Sequence, residues 1–161
     1  GLGPIESMAS ILITALEPYD QWGENSSWLA LVDFSSNLNA HHNVTTRLYP
    51  VNFEEVRRRL QDDLKANYDF VLHLGQAPGL GGIRLEAIGV NVGGSSSDPP
   101  ERHRRLVRDG PVAYHVSLSL PYWMVQLRKA RLPDSVSCPA GATSHDRRGG
   151  TARRSRLSAH P

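Results

Sequence analysis

Between residues 10 and 92 the chain alternates short β-branched apolar runs with amphipathic stretches, and no other feature narrows its fold as far. Ile11-Leu12-Ile13-Thr14 reads as a buried strand, because both faces of a parallel-sheet strand are covered and its sequence runs apolar without alternation. Glu17 to Gly23 breaks that run as a loop. Asn25 to Ser27 then suits a helix N-cap, with Trp28, Leu31 and Val32 as the expected buried face. Thr46–Val51 predicts a second strand, ended by Pro50. Phe53–Ala66 predicts the clearest helix: Phe53, Val56, Leu60 and Leu64 recur at three and four residues, opposite a face of mixed charge.

Asp69–Leu74 predicts a strand that enters the glycine-rich turn Gly75–Gly82, and Ile83–Val92 predicts one further strand. Gly93–Asp109 reads as a long loop. Pro121 opens another helix, with Tyr122, Val125 and Leu127 expected on its buried side, and Asp134–Ser137 starts a last strand. Strands alternating with helices predict an α/β domain, a three-layer α/β/α sandwich with a mostly parallel sheet. In such sheets the loops at the carboxyl ends of the strands carry the site. Three loops qualify: residues 17–25, residues 75–82, and the one after Ser137.

The 161 residues suffice for one buried core, and no apolar run approaches the 18 residues of a membrane span. A single cysteine excludes a disulfide framework and a cysteine-rich zinc site, and predicts a reducing, cytoplasmic setting. The net charge of +2 is unevenly placed. Residues 139–161 hold five of the 18 basic residues and one of the 16 acidic ones, which leaves 13 bases against 15 acids in residues 1–138. That last stretch has no aromatic or β-branched aliphatic residue, so it is expected to lack a fold. Residues 1–7, before Met8, read as a tag or upstream remnant, and residues 8–138 as the domain.

Several isolated features suggest chemistry and then weaken. Gly75–Gly82 lacks the lysine and Ser/Thr of a phosphate-binding loop, and reads as a plain strand-to-strand turn. His41-His42 has no carboxylate nearby, so no metal site is expected. Arg102, Arg104 and Arg105, like the arginines of the tail, have no interleaved aromatics, so no nucleic-acid partner is expected. The alternative of an arginine-tail interaction protein would show as salt-dependent nucleic-acid binding lost on deleting residues 139–161. Cys138 beside Pro139 reads as an ordinary thiol. Glu86, among Leu85, Ile88 and Val90, is an acid in an apolar strand, where it must be paired or functional.

The loops taken in order resemble those of the pyroglutamyl peptidase I (pyrrolidone-carboxylate peptidase) family. Ile11 to Tyr19 followed by Asn25-Ser26-Ser27-Trp28 is similar to that family's hydrophobic-T-G-F-x-P-F and N-P-S-W. Phe70 to Gly79, then Ile83 to Glu86 and Asn91, resembles its G-Q-A-x-G-R-x-x-I-x-x-E-R-x-A-x-N. Asp109 to Tyr114 resembles D-G-P-x-A-Y, and Pro133 to Ser137 P-x-S-V-S. The resemblance implies a cytoplasmic cysteine peptidase without cofactor that removes N-terminal pyroglutamyl groups from peptides through a Cys-His-Glu triad. It puts Glu86 at the acid that orients the histidine, and Gln76 near the pyroglutamyl group. Asn25 falls in the substrate loop, and Leu16 and Tyr19 stand where two phenylalanines enclose the lactam. A flat, uncharged lactam needs an apolar clamp and a few amide-matching hydrogen bonds.

The departures bear on activity. Leu80 and Ala87 replace two arginines of the motifs. The family's S-N-T-A-G-x-Y-x-C-N reads here as Ser137 to His145, so His145 occupies the nucleophile's position and Cys138 lies seven residues early. His160 is not the counterpart of the family's histidine, which is expected farther downstream. The expected result is an impaired peptidase, or an inactive relative that still binds a lactam or peptide end. The break coincides with the compositional shift, which suggests out-of-frame translation or an otherwise altered end from about residue 138, with C-terminal elements missing. The coding DNA tests this: another frame should yield Cys-Asn and a later His-Val-Pro-like segment. Loss of a covering helix would expose apolar surface, so we expect a marginally stable chain prone to self-association.

Overall fold

The computed structural model describes residues 9–19, 21–37, 43–77, 79, 81–95, 97–131, 134–137 and 140–143. The chain divides into two units, Gly1–Gln76 and Ala77–Pro161.

In the first unit, strand β1 (Ser10–Leu16) lies between β2 (Asn43–Tyr49) and β3 (Phe70–His73), and both pairings are parallel. The central place of β1 explains its unbroken apolar sequence: Leu12, Ile13, Thr14 and Ala15 are all buried. Ile13 and Ala15 pack with Leu31 of helix α1 (Ser26–Ser36), and Ile11, Val44, Leu48, Leu72 and Leu74 close around them. Helix α1 corrects one expectation. Leu31 is buried, but Trp28 and Val32 are 36% and 51% exposed. The helix is apolar on most of its circumference, so sequence alone could not choose which face meets the sheet.

Helix α2 (Phe53–Asp63) begins at Asn52, whose side chain accepts from the Glu55 N–H, and it carries Glu54 and Glu55 in its positive first turn. The periodicity predicts one helix to Ala66. The last turn instead tightens to 3-10 geometry over Leu64–Ala66 and stops at Asn67, in the left-handed conformation with φ 54°.

In the second unit, β4 (Ile83–Glu86) pairs with β7 (Asp134–Ser137) in parallel. Strand β5 (Ile88–Gly94) pairs antiparallel with β6 (Ala113–His115) and parallel with β8 (Ala140–Thr143). Four of the five strand pairings among the described residues are thus parallel, and the fold is α/β with mostly parallel strands.

Four expectations change in this unit. The single strand over Ile83–Val92 is two, split at Ala87 and belonging to different sheets; apolar alternation cannot reveal a change of partner. The expected loop over Gly93–Asp109 is tied down. Gly93 and Arg104 exchange two backbone hydrogen bonds, and Asn91 Oδ1 accepts from the Val107 N–H while its Nδ2 donates to the Val107 carbonyl. Helix α3 (Leu120–Lys129) turns inward through Leu120, Trp123, Met124 and Leu127, leaving Tyr122 and Val125 exposed. The expected face was therefore out of phase, except at Leu127. Strand β8 falls within residues 139–161, which composition reads as unfolded; residues 144–161 lie outside the described residues.

Candidate functional site

Because β1 and β3 run parallel, the loops leaving their carboxyl ends emerge at the same side of the sheet. The Leu74 N–H donates to the Thr14 carbonyl at 2.8 Å and extends this pairing past β3. Gln76, two residues on, then reaches α1: its Oε1 accepts from the Ser26 N–H at 2.6 Å. That donor is one of the first-turn N–H groups that a helix cannot satisfy internally. The bond fixes the side-chain amide with oxygen toward the helix and leaves Nε2 as the donor.

Asn25 shapes the other loop. It is fully buried, and its Oδ1 accepts from the Ser27 N–H at 3.0 Å and from Ser27 Oγ at 2.6 Å. Its Nδ2 donates to the Glu17 carbonyl at 3.2 Å. Ser27 Oγ accepts in turn from the Leu16 N–H at 3.2 Å, and the Glu17 N–H donates to the Tyr49 carbonyl. One buried amide thus sets the path from Leu16 to the start of α1. Both ends of Asn25 are committed to the protein, so it positions the loop. Leu16 and Tyr19 stand partly buried along that path, and the Tyr19 carbonyl accepts from the Trp22 N–H.

Leu16, Tyr19, Asn25 and Gln76 therefore belong to one unit, and hydrogen bonds join both of its loops to the first turn of α1. Glu86 ends β4 in the other unit, where its register partner is Ser137; it is partly buried and has interactions of its own. Cys138, His145, His160, Leu80 and the His41-His42 pair lie outside the described residues.

Two participants escaped the sequence reading. Thr14 Oγ1 and His73 Nδ1 are 2.7 Å apart, at matched positions of β1 and β3. His73 keeps much of its surface open to solvent, yet neighbouring protein atoms exclude enough water from the ring to push its pKa below the ordinary value. Ser27, expected as part of the Asn25–Ser27 cap, fills that place and also accepts from the Leu16 N–H.

Among the described residues no group of three or more His, Cys, Asp or Glu side chains could hold a metal ion, and no helix is long and apolar enough to cross a membrane.

The sequence profile of the family described as Pyroglutamyl peptidase matches residues 9–144. A pyrrolidone-carboxylate peptidase of Streptomyces coelicolor is 35% identical over 144 residues, a match covering 83% of this chain and 64% of the relative. Pyrrolidone-carboxylate peptidase 1 of Ralstonia nicotianae is 31% identical over 139 residues, covering 83% and 65%. The crystal structure of pyrrolidone carboxyl peptidase from Fervidobacterium islandicum superimposes with a TM-score of 0.76 at 30% identity, covering 83% of this chain and 66% of that one. The chain thus spans about two thirds of the length of the relatives it matches.

Proposed function

This chain belongs to the pyroglutamyl peptidase family, and on that premise we propose that it recognises the N-terminal pyroglutamyl group of peptides while hydrolysing the bond behind it little or not at all. The observation that carries the recognition half is the Gln76–Ser26 hydrogen bond. It holds a side-chain amide in one orientation beside a loop fixed by the buried Asn25. The Gln76 Nε2 donor then meets the lactam carbonyl, and Leu16 and Tyr19 supply the apolar walls for the flat ring. Asn25 acts through the loop that it holds.

The hydrolytic half follows from the residue types. The family reaction needs a thiolate to attack the pyroglutamyl carbonyl, a histidine to move the proton to the leaving amine, and an acid to orient that histidine. Glu86 stands at the acid's position, but the nucleophile's position holds His145. Without the thiol no acyl intermediate forms, and an oriented acid alone contributes little. Release of fluorophore from a pyroglutamyl amide tests this half. The expected result is a rate at or barely above buffer; substantial turnover abolished by Glu86→Gln would overturn it. The lone cysteine supports a reducing, cytoplasmic location.

A further inference from the structure

The charges of this chain divide with its two units. Residues 1–76 hold five basic residues against ten acidic ones, and residues 77–161 hold 13 against six. Such asymmetry suits the basic half to a polyanion. The first unit pairs cations with acids: Arg47 with Asp63, Arg58 and Arg59 with Glu55, and Lys65 with Asp62. In the second unit Arg102, Arg104, Arg105 and Arg108 lie within seven residues and are all exposed. Among the described residues no carboxylate pairs with any of these four.

The backbone beneath them is fixed at several points. Gly93 and Arg104 exchange backbone hydrogen bonds of 2.8 and 2.9 Å. The buried Asn91 amide clamps Val107 through both of its ends. A 3-10 turn over Pro100–Arg102 and the bond from the Gly110 N–H to the Val107 carbonyl close the two sides. The His103 ring lies so close to Gly94 that no Cβ fits between them. Arg104 Nη1 donates to the Glu101 and His103 carbonyls, which holds the guanidinium without neutralising it. Cations on a fixed loop lose little freedom on binding, and guanidinium forks match phosphate oxygens.

We propose that the loop from Arg102 to Arg108 binds the phosphate backbone of double-stranded nucleic acid without reading its sequence. The sequence alone argues against a nucleic-acid partner, because no aromatics interleave these arginines. Aromatics are needed where unstacked bases must be held. A duplex keeps its bases stacked and presents phosphates, which fixed positive charge contacts directly. The same absence favours a duplex over a single strand: residues 98–113 contain no Phe, Trp or Tyr.

Fluorescence anisotropy of a short labelled duplex of mixed sequence, titrated with the 161-residue chain over a salt series, tests this. Arg147→Gln, Arg148→Gln, Arg153→Gln, Arg154→Gln and Arg156→Gln together take the tail out of the measurement. In that background binding should persist. Four phosphate contacts give log K a slope of about −3.6 against log salt, a loss of about a hundredfold between 50 and 200 mM. Adding Arg105→Gln should reduce the slope by about 0.9, whereas Arg105→Lys keeps the charge and should keep the slope. Arg102→Glu, Arg105→Glu and Arg108→Glu combined should abolish binding with the melting temperature unchanged, since all three side chains are exposed. Several results would each overturn the proposal: binding lost with the tail arginines, binding that survives the triple loop variant, or a slope unmoved by Arg105→Gln. So would displacement of the duplex by polyglutamate or by phosphatidylserine vesicles at equal charge concentration, which would assign the loop to an acidic protein or a membrane.

Discussion

The side-chain carbonyl of Gln76 accepts a 2.6 Å hydrogen bond from the Ser26 N–H, tying the loop after β3 to the first turn of α1. Its two consequences separate by substitution. Gln76→Ala leaves a first-turn donor without its partner and should destabilise the chain by about 0.5–1.5 kcal/mol. Gln76→Glu keeps the acceptor and adds a negative charge where the helix dipole favours one, so its stability should match the wild type while the Nε2 donor is gone. Urea unfolding midpoints measure both.

Asn25 is the more costly residue to lose. Its amide makes three hydrogen bonds from a fully buried position, to Ser27 twice and to Glu17 once. Asn25→Ala should cost about 1–3 kcal/mol, combining a lost cap with buried groups left unpaired. A urea midpoint within error of the wild type would show that the loop does not depend on this amide.

Alkaline pH should weaken the first unit through one side chain. Tyr49 is buried, and its hydroxyl donates to Asp63 Oδ2 at 2.5 Å while Arg47 Nε donates to Oδ1 at 3.0 Å. Burial and the adjacent carboxylate push the Tyr49 pKa well up. Its folded value lies above the unfolded value of about 10, so the stability it contributes is complete below pH 10 and is lost as pH climbs through the folded pKa. Urea midpoints from pH 9 upward should fall more steeply for the wild type than for Tyr49→Phe; parallel curves would contradict the assignment.

What the sequence made legible was local. The Asn25 cap, the central strand β1 and the amphipathic α2 each announce themselves within a few residues, through capping chemistry or periodicity. The phase of α3 was misread because Tyr122 and Val125 are apolar yet exposed, while Met124 and Trp123, one step round the helix, turn inward. The split at Ala87 depends on which distant strands β4 and β5 pair with. The Gln76–Ser26 and Thr14–His73 contacts exist only because parallel register brings together residues 50 and 59 apart. No local pattern encodes such a register.

Two glycines of one strand should respond oppositely to a methyl group. A Cβ at Gly94 would stand 2.3 Å from His103 Cδ2, whereas one at Gly89 meets nothing within 4 Å. Gly94→Ala must displace an imidazole ring and should cost about 1–3 kcal/mol; Gly89→Ala should stay within about 0.5 kcal/mol of the wild type. Thermal melts of both variants make the comparison, and equal losses would contradict the packing around His103.

Calorimetric titration of the 161-residue chain with pyroglutamate tests the recognition claim most directly. The account predicts a saturable heat of binding in the wild type that disappears in Gln76→Glu, a variant expected to remain folded. No heat with folded wild type, or the same heat in Gln76→Glu, would contradict it.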